Sequence, residues 1–142
     1  MKKILLLLVS LVVLVGCSKS TLGENYEIQK NVDMTVENIK YENGYVYVKV
    51  AVDGSDLNGY PTFVTENFKV TDDDDNALKY MQVEYGKNSY DTVTGSTDDT
   101  FAPVVSVDGK GNFDLMFDAD GDKSDHYKVT YEIDGKKLEW QN

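Results

Sequence analysis

From Val32 onward, apolar and polar side chains alternate along the chain. Val32, Met34 and Val36 interleave with Asp33, Thr35 and Glu37, and Ile39 and Tyr41 continue the two-residue period to Glu42. That is the period of a strand with one face buried. Asn43-Gly44 then supplies two residues that tolerate positive φ, the requirement of a type I′ hairpin turn. Tyr45 to Val52 reads as the returning strand, rich in β-branched and aromatic residues. Its valines, at 46, 48, 50 and 52, share one face and predict the core side, which leaves Tyr45 and Tyr47 facing outward. Shorter strands are predicted over 61–64, 67–71, 77–85, 101–107, 112–118, 126–133 and 136–140. Segment 77–85 also places Leu78, Met81 and Tyr85 on one face of a helix, but Met81, Val83 and Tyr85 alternate and the surroundings are strand-rich. Turns are expected at Asp108-Gly109-Lys110-Gly111 and Asp134-Gly135, and 86–100 reads as the longest loop. Regular short strands with turn signals and no helix predict an all-β, antiparallel sandwich or barrel.

The amino terminus follows a different pattern. Lys2-Lys3, an apolar run from Ile4 to Val15 broken by Ser10, and Gly16-Cys17 form the charged, apolar and small-residue regions of a secretory signal. The run falls short of the roughly 20 apolar residues that span a bilayer. Cys17 is the only cysteine and so has no partner within the chain for a disulfide. Leu14-Val15-Gly16-Cys17 resembles the lipobox of bacterial lipoproteins, in which cleavage precedes a cysteine whose thiol carries a diacylglycerol, commonly with palmitate. Two acyl chains suffice for stable anchoring. The expected organisation is a lipoprotein signal peptide over 1–16, a lipidated Cys17 with a flexible tether through residue 30, and one domain over 31–142.

Charge narrows the partners. After removal of residues 1–16, 12 lysines stand against 25 acidic residues, a net charge of −13, and the chain has no arginine. Such a surface repels polyanions and lacks the guanidinium that best grips phosphate, so nucleic acid is excluded as a partner. Contact with the membrane is left to Cys17.

Catalytic chemistry finds few residues to use. His126 is the only histidine, beside Asp125, and no serine sits in a Gly-x-Ser-x-Gly elbow. One histidine and one acylated cysteine cannot complete a zinc site. No catalytic residue, cofactor or firm metal ligand is assigned. Asp72-Asp73-Asp74-Asp75-Asn76 reads as a turn whose side chains bond to nearby amides, with a hard cation as the alternative. Asp118, Asp120 and Asp122 match the first ligands of a calcium loop, but Lys123 and Val129 at its sixth and twelfth positions exclude the helix-loop-helix motif. A looser calcium site that adds Asp125 stays open beside a solvated acidic loop. Tyr45 and Tyr47 offer rigid aromatic area for a protein or glycan, or cover for a neighbouring loop.

Met34-Thr35-Val36-Glu37, Val46 to Val50, Glu66 to Asp72 running into Leu78-Lys79-Tyr80, Phe113 to Asp118 and Tyr127 to Tyr131 form a series of strand segments from Asp33 to Glu132. That stretch resembles an uncharacterised domain found in many Gram-positive lipoproteins, whose immunoglobulin-like sandwich is similar to that of mycobacterial immunoprotective extracellular protein. The resemblance implies an immunoglobulin-like sandwich and brings no defined activity. Together these readings predict a non-catalytic, lipid-anchored module that faces the outside of a Gram-positive cell and binds a cell-surface or extracellular protein or glycan. A calcium-dependent structural or sensing module is the second reading, and a carboxylate-based hydrolase the third.

Overall fold

The structure is a computed structural model that describes residues 18–54, 63–84, 100–101 and 110–142. The strands are β1 (Ser18–Lys19), β2 (Tyr26–Gln29), β3 (Val32–Glu42), β4 (Tyr45–Asp53), β5 (Phe63–Val64), β6 (Phe68–Thr71), β7 (Lys79–Glu84), β8 (Thr100–Phe101), β9 (Lys110–Asp118), β10 (Lys128–Ile133) and β11 (Lys136–Gln141). Among the described residues the one helical piece is a 3-10 turn at Thr65–Asn67.

Two sheets face each other. The five-stranded sheet runs β2-β3-β4-β9-β7 and the four-stranded sheet β1-β11-β10-β6, while β5 and β8 pair separately. Every pairing is antiparallel except that of β1 with β11, which is parallel. The order β3-β4-β9-β7 against β6-β10-β11 is the A-B-E-D against C-F-G order of a constant-type immunoglobulin sandwich. The corner before β10 carries a further mark of that fold. Tyr127 immediately precedes β10, its hydroxyl accepts from the Ser124 amide at 2.9 Å and donates to the Asp122 carbonyl at 3.4 Å, and the ring is buried.

The predicted alternation supplies the core. Val46, Val48, Val50 and Val52 of β4 are buried with Val32, Met34 and Val36 of β3 and Phe113, Leu115 and Phe117 of β9. The other sheet meets them with Phe68, Val70, Tyr127, Val129, Tyr131, Leu138 and Trp140. The period in β3 is broken once. Its register shifts between Val36 and Asn38, so Glu37 and Asn38 are both exposed and Ile39 returns to the core. The bulge explains how residues separated by three positions share a face.

Turn chemistry holds at two hairpins. Asn43 and Gly44 have φ of 53° and 87°, and Asp134 and Gly135 have 49° and 77°, the positive values that type I′ turns need. Of the ambiguous segment 77–85, Lys79–Glu84 resolve as strand β7, Ala77 makes an isolated bridge to Thr71, and Tyr85 lies outside the described residues. The turn expected at Asp108 to Gly111 is corrected in part: Lys110 and Gly111 belong to β9, because β4 is long enough to pair them with Asp53 and Val52. Asp108, Gly109 and most of the expected 86–100 loop lie outside the described residues.

The larger correction concerns the expected tether. Ser18 and Lys19 pair with Leu138 and Glu139, the Ser20 amide donates to the Glu139 carbonyl at 2.7 Å, and the Gly23 amide donates to the Val36 carbonyl at 2.9 Å. Leu22 packs against the core, Ile28 is buried, and Tyr26 meets Trp140 edge-on at 6.0 Å between ring centroids. Residues 18–29 belong to the sandwich because Leu22, Tyr26 and Ile28 cover apolar surface that the later strands leave open.

Candidate functional site

The outward face of the five-stranded sheet holds the two tyrosines singled out by the alternation of β4. Tyr45 and Tyr47 are half-buried. Tyr47 lies between Lys40 of β3 and Met116 of β9, and Tyr45 between Glu42 and Asp118. A shallow groove of about 390 Å³ runs over this face, lined by Asn38, Lys40, Glu42, Tyr47, Lys49 and Asp114. Two ion pairs organise its cations: Lys40 Nζ to Glu42 Oε2 at 2.8 Å and Lys49 Nζ to Glu37 Oε2 at 3.2 Å. All four side chains are largely exposed, so these pairs add little stability and can reorient toward a ligand. An aromatic ring among an amide, two ammonium groups and carboxylates can stack on and hydrogen bond to a sugar or an extended peptide.

Sequence reasoning missed a second groove, of about 490 Å³, on the outward face of the other sheet. Glu66, Asn67, Lys69, Thr130, Glu132 and Lys137 line it together with the β10–β11 turn. Its residues come from distant segments, and none is aromatic. No local pattern marks them in the sequence.

The two acidic runs, separate in sequence, meet at one end of the molecule. Asp72 Oδ1 accepts from the amides of Asp74 at 3.0 Å and Asn76 at 2.8 Å, and its Oδ2 accepts from the Asn76 side chain at 3.0 Å. These bonds, led by that of the Asn76 side chain, hold the Asp72 carboxyl below its ordinary value of 3.8. Asp73 Oδ2 reaches across to the amides of Asp125 at 2.9 Å and His126 at 3.2 Å. Asp75 pairs with Lys128 at 3.0 Å, and Asp118 Oδ1 accepts from the Asp120 amide at 2.8 Å. Asp72, Asp73 and Asp118 thus bind amides, as residues favoured in turns do. Among the described residues no three carboxylate, imidazole or thiol groups converge to hold a metal. His126 is exposed, and its Nδ1 lies 2.9 Å from the Asn142 main-chain oxygen.

Cys17 lies outside the described residues. Residues 1–18 match the family model of the prokaryotic membrane lipoprotein lipid attachment site. That match implies membrane anchoring through a lipid. No curated protein matches the chain. Among solved structures, the chain is similar to an uncharacterised β-sandwich protein from Clostridium difficile 630, with a TM-score of 0.53 and 14% identity over 89% of this chain and 94% of that one. At that identity the likeness shows the β-sandwich fold alone.

Proposed function

We propose that the chain is an extracytoplasmic binding module without catalytic activity, held to the outer face of the cell membrane by a diacylglycerol on Cys17. Its outward tyrosine face receives a cell-surface or extracellular protein or a glycan. The observation that carries the binding role is the groove in which Tyr47 stands among Asn38, Lys40, Lys49 and Asp114. The lipid attachment match supports the anchor. The resemblance to an uncharacterised lipoprotein family supports placement on a Gram-positive surface. The absence of catalysis is inferred from the residue inventory: the single histidine is turned to the Asn142 main chain, and cysteine chemistry is committed to the lipid.

The test displays the lipidated full chain on vesicles against a glycan array and fractionated cell-wall fragments. Tyr47→Ala should weaken the binding found at least tenfold while leaving the melting midpoint within a few degrees. Binding unchanged in the Tyr45→Ala, Tyr47→Ala double variant would remove this face from consideration.

A further inference from the structure

We infer that lipid attachment fixes the pose of the sandwich, which stands end-on with the β10–β11 and β2–β3 turns toward the bilayer and the acidic turns away from it. The inference rests on the lipid at Cys17 and goes further by assigning a membrane-facing surface. Ser18 pairs with Leu138, two positions after β11 begins, and one peptide unit of about 3.8 Å separates the Cα atoms of Ser18 and Cys17. Residues 18–29 contain no slack, since β1, Ser20, Gly23 and β2 are each bonded to the sheets. The lipid therefore leaves from the end where β11 starts. The β2–β3 turn is at the same end, because Lys136 Nζ donates to the Glu27 carbonyl. At the opposite end Tyr41 of β3 stacks on Tyr127, and Asp73 bonds to the backbone before β10. The nine residues of β4, at about 3.3 Å each, separate the two ends by about 30 Å.

Charge follows the same axis. Near the lipid, Lys30, Lys110, Lys136 and Lys137 stand among six acids, Glu27, Asp33, Asp53, Glu66, Glu132 and Asp134, an excess of two negative charges. At the far end, the Asp72–Asp75 run joins Asp118, Asp120, Asp122 and Asp125, with Lys79, Lys123 and Lys128 as the nearby cations. The far end carries the larger excess, eight acids against three lysines, so an anionic bilayer repels it more strongly than the first.

The test uses the lipidated full chain in phosphatidylcholine and phosphatidylglycerol vesicles that contain a nitroxide-headgroup lipid. A fluorophore is placed at Lys30→Cys or Asp74→Cys, each the sole reactive thiol once Cys17 is acylated. Quenching at residue 30 should exceed that at residue 74 at least fivefold. A ten-residue Gly-Ser insert between Cys17 and Ser18 should bring the two within twofold. Equal quenching without the insert, or a difference that survives it, overturns the fixed pose and leaves the anchor standing. Failure of the chain to float with the vesicles overturns the anchor and the pose together.

Discussion

Asp72 fastens the turn between β6 and β7 through its two carboxylate oxygens, so its ionised form is bound more strongly in the folded chain than in the unfolded one. Its folded pKa lies below 3.8, and the stability it contributes is complete above that value and lost as pH falls through the folded value. Asp72→Asn should lower stability at neutral pH and flatten the acid limb of a stability–pH profile, read by urea unfolding between pH 2 and 5. Tyr131 acts at the other extreme. Burial pushes its hydroxyl up to about 12 from 10.0, so the fold favours the neutral phenol. That contribution is complete below pH 10 and disappears as pH rises toward 12. Tyr131→Phe should therefore lose less stability than the parent chain across that interval. The burial of Tyr131 at the sheet interface was not readable in advance. The Asp72 turn was legible because Asp and Asn favour turns, whereas the reach of Asp73 to residues 125 and 126 joins segments far apart in sequence.

At the scale of elements, legibility followed the length of the alternation. β3, β4, β9 and β10 present their apolar residues at a spacing of two over six or more residues, and β4 placed its valines in the core as expected. The bulge in β3 was invisible because two adjacent polar residues resemble an ordinary end of a strand. β1 has two residues and no period at all, and the four of β2 are surrounded by polar neighbours that read as a spacer. Its alternating Tyr26 and Ile28 were the one signal available. Tyr26→Ala should cost roughly 1–3 kcal/mol by removing an aromatic that packs against the core. Trp140 is the only tryptophan, so its emission should shift to the red in the native variant. A free tether would leave both the midpoint and the emission unchanged.

For the whole molecule, the lipid attachment site was more legible than any binding chemistry. The acidic excess and the lipobox depend on simple counting and spacing, whereas both surface grooves depend on which strands become neighbours. Tyr47 was legible as outward-facing, but Asn38, Lys40 and Asp114 became its companions only through the β3-β4-β9 order. Because Asp72, Asp73 and Asp118 bind amides, the melting midpoint of the full chain should be the same in chelator and in 1 mM calcium. A rise of several degrees that magnesium fails to reproduce would instead give the acidic turns a calcium site.

The parallel seating of β1 on β11 also determines how the molecule would carry a mechanical load. Tension between a lipid and a partner on the far end enters along the strand axis, so the β1 ladder is loaded in shear, its bonds sharing the force instead of opening one at a time. That ladder is short, with two paired residues and the Ser20 bond beside them. It should be the first part to yield. Its rupture, with the Gly23 bond, would pay out residues 18–25, about 27 Å when fully extended, before β2 is reached. Single-molecule pulling from the amino terminus should show this early step ahead of the main unfolding event, as an extensible link that preserves the remaining sandwich under strain.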